Sequence, residues 1–285
     1  MARAAVLILA TIAACVPFAS CSSSVGGRYV TVSNPAMGFF VSRLLPADVA
    51  VNVMIPQGAD HDSYTPKPSQ MASLAGSEAY IAFGPLEFET TWRERILSSA
   101  PSLHWVEVSS GISLITSDDC LHHDAHHSAA DPHFWLSPRQ AAIMVGNLAD
   151  SLKVIFPAYS SFVDSSLVSL KSDIASADSA FAQAAESNPG QTFVIYHPAL
   201  AYLARDYGFR QLCVGGDGIA PSPRRFAALA DSAKAAGARV FFLQEGFAPD
   251  RVKASAADMG VRVVKFQPES ANWIETMDIV SNALR

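Results

Sequence analysis

Two α/β lobes, each a parallel sheet with flanking helices and joined by one long rigid helix, form the fold class that the sequence predicts. Three observations carry it. Short β-rich runs alternate with amphipathic helical patterns, and that alternation implies parallel sheets with helical crossovers. The alternation comes in two series, one on either side of residues 158–188. Between the series, Tyr159 to Glu186 holds neither Pro nor Gly.

The first series begins at Arg28. Tyr29-Val30-Thr31-Val32, Val49 to Ile55, Ala79 to Phe83 and Trp105 to Val108 read as strands. Their β-branched and aromatic residues suit a pleated, half-buried surface. Helical patterns lie between them at Met37 to Leu45, Ser69 to Gly76 and Glu89 to Ser98. The second series has strands at Thr192 to Tyr196, Gln211 to Val214, Arg239 to Leu243 and Val261 to Phe266. Its helices run near Leu200 to Tyr207, Pro223 to Ala236, Pro249 to Met259 and Asn272 to Leu284.

In the central segment Val163, Leu167, Leu170, Ile174, Ala177, Phe181 and Ala184 recur at alternating four- and three-residue steps. That spacing is one apolar stripe on a helix. A single stripe also suits a coiled-coil arm, but between two α/β lobes it can pack on both, so a strut roughly 40 Å long is expected. Pro157 and Asn188-Pro189-Gly190 mark its ends.

Before the body, Arg3, the apolar run Val6 to Ala10 and the small residues that follow have the layout of a secretory signal, too short for a confident bilayer span. Phe18-Ala19-Ser20-Cys21-Ser22-Ser23-Ser24 resembles a bacterial lipobox followed by a polar tether. Cys15 offers a second such step, but cleavage there strands Val16-Pro17-Phe18 beside the membrane. The expected division is therefore 1–20 signal, lipid on Cys21, 21–27 tether, 28–157 N-terminal lobe, 158–188 linking helix and 189–285 C-terminal lobe.

The 285 residues are 50% hydrophobic, enough for one or two cores. A formal net charge of -6 argues against nucleic acid as a partner, which requires a basic face. Cys120 and Cys213 can form at most one disulfide, so this is no disulfide scaffold.

Histidine carries the chemistry. Four of the eight lie in a polar tract at 118–130, as His122, His123, His126 and His127. Imidazole and carboxylate suit borderline ions such as Zn²⁺; the plain alternative is a polar surface loop. His133 stands in Asp131-Pro132-His133-Phe134-Trp135-Leu136-Ser137-Pro138, just ahead of a helix. His197 ends the strand that starts at Thr192, and His61 and Asp62 follow the strand that ends at Ile55. The crevice beyond the carboxyl ends of parallel strands is the usual ligand site. Singly, each His is more often a satisfied structural residue, and His104, inside a strand pattern, is read that way. Three such places together point to a metal.

These three places resemble those of the cluster A-I metal-binding solute-binding proteins, the zinc and manganese receptors of ABC importers. Gly58 to Pro66 approximates the family's Gly-x-Asp-Pro-His-x-Tyr-x-Pro. Asp131 to Pro138 matches Asp-Pro-His-x-Trp-Leu-x-Pro, and His197 to Gly208 matches a strand-end His with a helix ending in Tyr-Gly. Pro221-Ser222-Pro223 resembles the family's Glu-Pro-Ser-Pro step, and the tract at His122 to His127 takes the place of the zinc receptors' His-rich loop. The resemblance runs from about Arg28 to the C-terminus. It implies a metal site in the interlobe cleft, and an extracytoplasmic, periplasmic, lipid-anchored monomer that hands Zn²⁺ to an ABC permease.

Two positions depart from the pattern. Counted from Gly58 and from Tyr64, the family's first ligand falls on Asp62, and His61 on its Pro; adjacent residues of an extended loop point apart, so Asp62 is expected to bind and His61 not. Near the end, Gln267 stands where the family often has an acid, which leaves Glu269 or Glu245 as substitutes. The expected ligands are His133, His197 and Asp62. Mn²⁺ or Fe²⁺ is the alternative cargo. A secreted zinc hydrolase is the alternative class, against which stand the missing H-E-x-x-H and the lack of an evident general base. An adhesive surface lipoprotein is a third class, and it would need no inward-facing ligands at strand ends.

Overall fold

The computed structural model describes residues 28–116, 130–213, 223–244 and 256–285. The leader with Cys21, the His-rich tract with Cys120, and Pro221, Ser222 and Glu245 lie outside the described residues.

The first lobe holds β1 (Tyr29–Val32), α1 (Pro35–Leu44), β2 (Ala50–Val53), α2 (Pro68–Ser73), β3 (Ala79–Ala82), α3 (Glu87–Ser99) and β4 (His104–Glu107). After them come α4 (Pro138–Ile155) and α5 (Ser160–Ser187), which pack side by side. The second lobe holds β5 (Thr192–Ile195), α6 (Ala201–Tyr207), β6 (Arg210–Cys213), α7 (Pro223–Ala235), β7 (Val240–Gln244), β8 (Arg262–Phe266) and α8 (Trp273–Leu284). All strands expected from the sequence form, with ends shifted by one or two residues. In β2 the pattern overran the ladder: Met54 and Ile55 still donate to the carbonyls of Val32 and Ser33 as the chain turns out toward the next loop.

Both sheets are wholly parallel among these strands, in the orders β2-β1-β3-β4 and β6-β5-β7-β8. The lobes therefore repeat one topology without an evident sequence repeat. In each, the chain reverses its direction of winding between the two central strands, and the crevice at their carboxyl ends is the expected place for a ligand. The central strands β3, β5 and β7 are buried along their whole length, as a sheet covered on both faces requires.

The 28 residues of α5 span about 42 Å. Val163, Leu170, Ile174, Ala177, Phe181 and Ala184 form its buried stripe, and Leu167 packs partly buried against the same core. The helix lies against α1 and α4 on one side and α8 on the other, so it joins the lobes. One apolar core accordingly runs from Val30, Val32 and Tyr80 of the first sheet to Phe193, Ile195 and Phe242 of the second. The opposite face of the second sheet, with Val194, Phe241 and Leu243, packs separately on Ala233, Ala256 and Met259.

Local chemistry sets the helix ends. The Asn34 side chain accepts from the Met37 N–H at 3.0 Å, and Pro35 opens α1 with no N–H to orphan. Gly208 closes α6 at φ 74, the left-handed conformation that favours glycine.

At the carboxyl ends of β1 and β3 a buried carboxylate ties the first sheet to α3. Glu89 accepts the N–H groups of Phe83 at 2.9 Å and Gly84 at 2.7 Å, together with the Ser33 hydroxyl. Burial raises its pKa from 4.5 to about 7, although these hydrogen bonds oppose the rise. The unfolded carboxyl loses its proton near 4.5 and the folded one near 7, so between them only the folded state is protonated there. That contribution to stability is full below about 4.5, declines as pH rises to about 7, and is level above. Urea unfolding across this range should show the decline in the unsubstituted protein and a flatter profile in Glu89→Gln.

Candidate metal centre

Three imidazoles reach one point from three separate segments. The first arrives on the loop after β2. There the Asp60 carboxylate accepts the Asp62 N–H at 3.1 Å and the Ser63 hydroxyl at 2.9 Å, folding 61–63 into a turn. His61 is buried at the bottom of this turn, and its Nε2 lies 3.1 Å from Asp62 Oδ1.

The second comes from the segment between β4 and α4. His133 opens a single helical turn, His133–Leu136. Asp131 Oδ1 accepts its backbone N–H at 2.8 Å and also lies 2.8 Å from its ring Nδ1, which fixes the ring and leaves Nε2 for the cleft. The segment is wedged between the lobes. The Trp135 ring sits 4.2 Å from that of Phe83 in the first lobe, while Tyr202 of the second donates to the Asp131 carbonyl at 2.6 Å.

The third, His197, stands two residues beyond β5, where the strand gives way to a bend. Its Nε2 is 3.3 Å from that of His133. The His61 ring centroid is 5.2 Å from that of His133 and 5.8 Å from that of His197. One ligand nitrogen from each of the three lies within 4.8 Å of the others.

The electrostatics follow from burial and crowding. Burial works against a proton on His61, but the carboxylates of Asp62 and Glu269 outweigh it and push its pKa up to about 10. Burial also works against an ionised Asp62, yet His61, then His197 and His133, hold its carboxyl well below the usual range. His197 is pulled down to about 3 by burial and by its two imidazole neighbours. His197 is thus held neutral and Asp62 ionised, while His61 must give up a proton before it can bind a divalent cation. Both ring nitrogens of His61 face carboxylates, Nδ1 that of Glu269 at 2.6 Å and Nε2 that of Asp62 at 3.1 Å, and neither contact is aligned as a hydrogen bond.

The expected choice of Asp62 over His61 assumed an extended loop, and the loop is a turn. A turn fixed by Asp60 does not alternate its side chains as an extended strand does: His61 groups with His133 and His197, and Asp62 lies beside His61 in a second group with Asp60. Glu269, expected as a substitute ligand, lies against His61. Its Oε1 lies 2.6 Å from Nδ1 of His61, the ring nitrogen opposite the one beside Asp62, and it belongs to neither potential ligand group among the described residues. His104 lies in β4 away from these groups. Glu245, His122, His123, His126 and His127 lie outside the described residues.

Sequence reasoning passed over Asp60 and Asp131 as the residues that shape the two loops. Their signal was present: an Asp one or two positions before a His, on a loop, is a turn-forming residue.

A family model described as zinc-uptake complex component A, periplasmic, matches residues 30–285. The chain belongs to this family. The family is one of metal-uptake components, not enzymes, which sets the hydrolase reading aside. The zinc-binding lipoprotein AdcA of Streptococcus pneumoniae (strain R6) is 24% identical over 250 residues, covering 84% of this chain and 49% of AdcA. The high-affinity zinc uptake system protein ZnuA of Bacillus subtilis (strain 168) is 23% identical over 233 residues, 78% of this chain and 72% of that protein. The chain spans about half the length of the AdcA relatives it matches. A crystal structure of ZnuA has a TM-score of 0.81 at 27% identity, covering 91% of this chain and 100% of that one, and a zinc-bound ZnuA deletion mutant has 0.80. A manganese-bound periplasmic metal-binding protein from Candidatus Liberibacter asiaticus, at 18% identity and a TM-score of 0.77 over 90% of this chain, shares the fold. Among the described residues no helix is long and apolar enough to cross a membrane.

Proposed function

We propose that this chain captures Zn²⁺ outside the cytoplasm and delivers it to the permease of an ABC importer, as a monomer tethered by lipid on Cys21. In this reading His61, His133 and His197 bind through Nε2 and Asp62 through a carboxylate oxygen. The observation that carries it is the 3.3 Å separation of the His133 and His197 Nε2 atoms, with a ring nitrogen of His61 within 4.8 Å of a nitrogen of each. Two nitrogens on one tetrahedral Zn²⁺ with bonds of roughly 2.0–2.1 Å stand roughly 3.3–3.4 Å apart. Three nitrogens and one oxygen favour Zn²⁺ over Mn²⁺, which prefers oxygen. The zinc-binding names of the AdcA and ZnuA relatives support the same cargo. The lipid anchor draws support from the AdcA lipoprotein and from the lipobox-like step at Cys21. The His-rich tract is read as a separate, weaker collecting site for the same ion.

Titration calorimetry with Zn²⁺ tests the site. His61→Ala, His133→Ala, His197→Ala and Asp62→Ala should each weaken binding by more than the roughly 10–100-fold that losing an outer hydrogen-bond partner of a ligand costs. Circular dichroism should stay unchanged. Unaltered affinity in the His133 and His197 variants would remove the site.

Deleting residues 121–127 should lower the number of weakly bound Zn²⁺ ions in equilibrium dialysis and leave the tight one. Loss of the tight ion would assign a ligand to the tract.

Mass spectrometry of the N-terminal peptide from membrane extracts should find acyl chains on Cys21. An unmodified N-terminus, or acylation at Cys15, would contradict the anchor.

A further inference from the structure

Glu269 is a carboxylate with 1% of its surface exposed, three residues beyond β8 in the second lobe. It lies against the imidazole of the first lobe and belongs to neither potential ligand group among the described residues. Its Oε1 stands 2.6 Å from His61 Nδ1, while His61 Nε2 lies 3.1 Å from Asp62 Oδ1. The contact is short but not aligned as a hydrogen bond, and Oε1 has no other partner.

The backbone around it is held from two directions. Trp135 Nε1–H donates to the Pro268 carbonyl at 2.9 Å, and the Thr276 hydroxyl donates to the Gln267 carbonyl at 3.2 Å. The carboxylate is thus presented at a fixed place on the lobe that does not carry His61. His133 has a comparable partner, Asp131, but from its own loop. His61 depends on the opposite lobe for the same service.

We infer that Glu269 is a positioning residue: from the second lobe it holds the proton of His61 on Nδ1 and aims Nε2 at the ion, without itself becoming a ligand. A carboxylate behind a metal-bound imidazole selects its tautomer and raises its strength as a ligand, and its loss typically costs about 10–100-fold in metal affinity. The same contact keeps a second carboxylate oxygen away from the ion, so the site stays rich in nitrogen. This inference rests on the proposed metal site, and the test separates the two.

Co²⁺ serves as the probe, since its visible absorption reports the number and kind of its ligands, and Zn²⁺ affinity follows by competition with a chelator. The proteins compared are the unsubstituted chain, Glu269→Gln, Glu269→Asp and Asp62→Ala. Glu269→Gln should keep the Co²⁺ band positions and intensity of the parent while binding Zn²⁺ about 10–100-fold more weakly. Glu269→Asp, which keeps the charge, should recover part of that loss, a recovery that a purely structural role would not give. Asp62→Ala should change the spectrum itself. Parent-like affinity in Glu269→Gln overturns the inference, and so does a Co²⁺ spectrum altered as in Asp62→Ala, which would make Glu269 a ligand. If the unsubstituted chain takes up no stoichiometric Co²⁺ or Zn²⁺, the metal-site reading falls first and this inference with it.

Discussion

Trp135 gives its Nε1–H to the carbonyl of Pro268 at 2.9 Å, and its own carbonyl accepts the Nε1–H of Trp273 at 2.7 Å. Both indoles are fully buried, so neither donor has water as an alternative partner. A buried hydrogen bond contributes only about 0.5–1.5 kcal/mol net, but a buried donor left without one costs about 1–3 kcal/mol. The reciprocal pair therefore fixes the register between the segment after β8 and the segment before α4. A second lock lies at the start of α4, where Asp206 of α6 accepts from Ser137 at 2.6 Å and from Gln140 at 2.7 Å. Negative charge at a helix N-terminus adds a favourable dipole interaction. His133 and Glu269 owe their places to these bonds, for each is within two residues of one of the partners.

The cluster brings ionisable groups into a buried place. His61, His133 and Glu269 are almost wholly enclosed, and His61 has no aligned partner for either ring nitrogen. Apolar side chains of similar volume would fill this space with no such penalty. The surrounding structure holds the groups there nonetheless, through a turn at Asp60, a ring fixed by Asp131 and an interlobe weld at Trp135. Glu89 differs in kind. It is as deeply buried, yet its two oxygens accept three hydrogen bonds, so it works as a satisfied strut for the first sheet.

Much of the fold was legible because its signals are local. The β-rich runs survive as strands, and the stripe from Val163 to Ala184 survives as the buried face of α5. The motif around His133 also carried its meaning in the sequence, since an Asp two residues before the His can reach both its N–H and its ring. The loop at His61 was harder to read. Its register was taken from matching residues at Gly58 and Tyr64 and from the alternation of an extended chain, whereas Asp60 makes it a turn. Glu269 was visible as an acid near the end of the chain. Which nitrogen of which imidazole it would face depends on how β8 and α8 pack against the other lobe, and no local pattern encodes that.

The ligand set is divided between the two halves of the molecule. His197 follows β5, and His133, although it precedes α4, is bonded through Asp131 and Trp135 to Tyr202, Pro268 and Trp273 of the second lobe. His61 and Asp62 hang on the loop after β2 in the first lobe, with Glu269 as the reach across. His61 thus rests on the first half, His197 on the second and His133 on a segment packed against both, so a relative shift of the halves pulls the group apart. Affinity and lobe geometry are therefore linked quantities. The long helix α5 limits that shift by packing along both halves at once. Glu269 adds a contact of its own across the lobes, against His61.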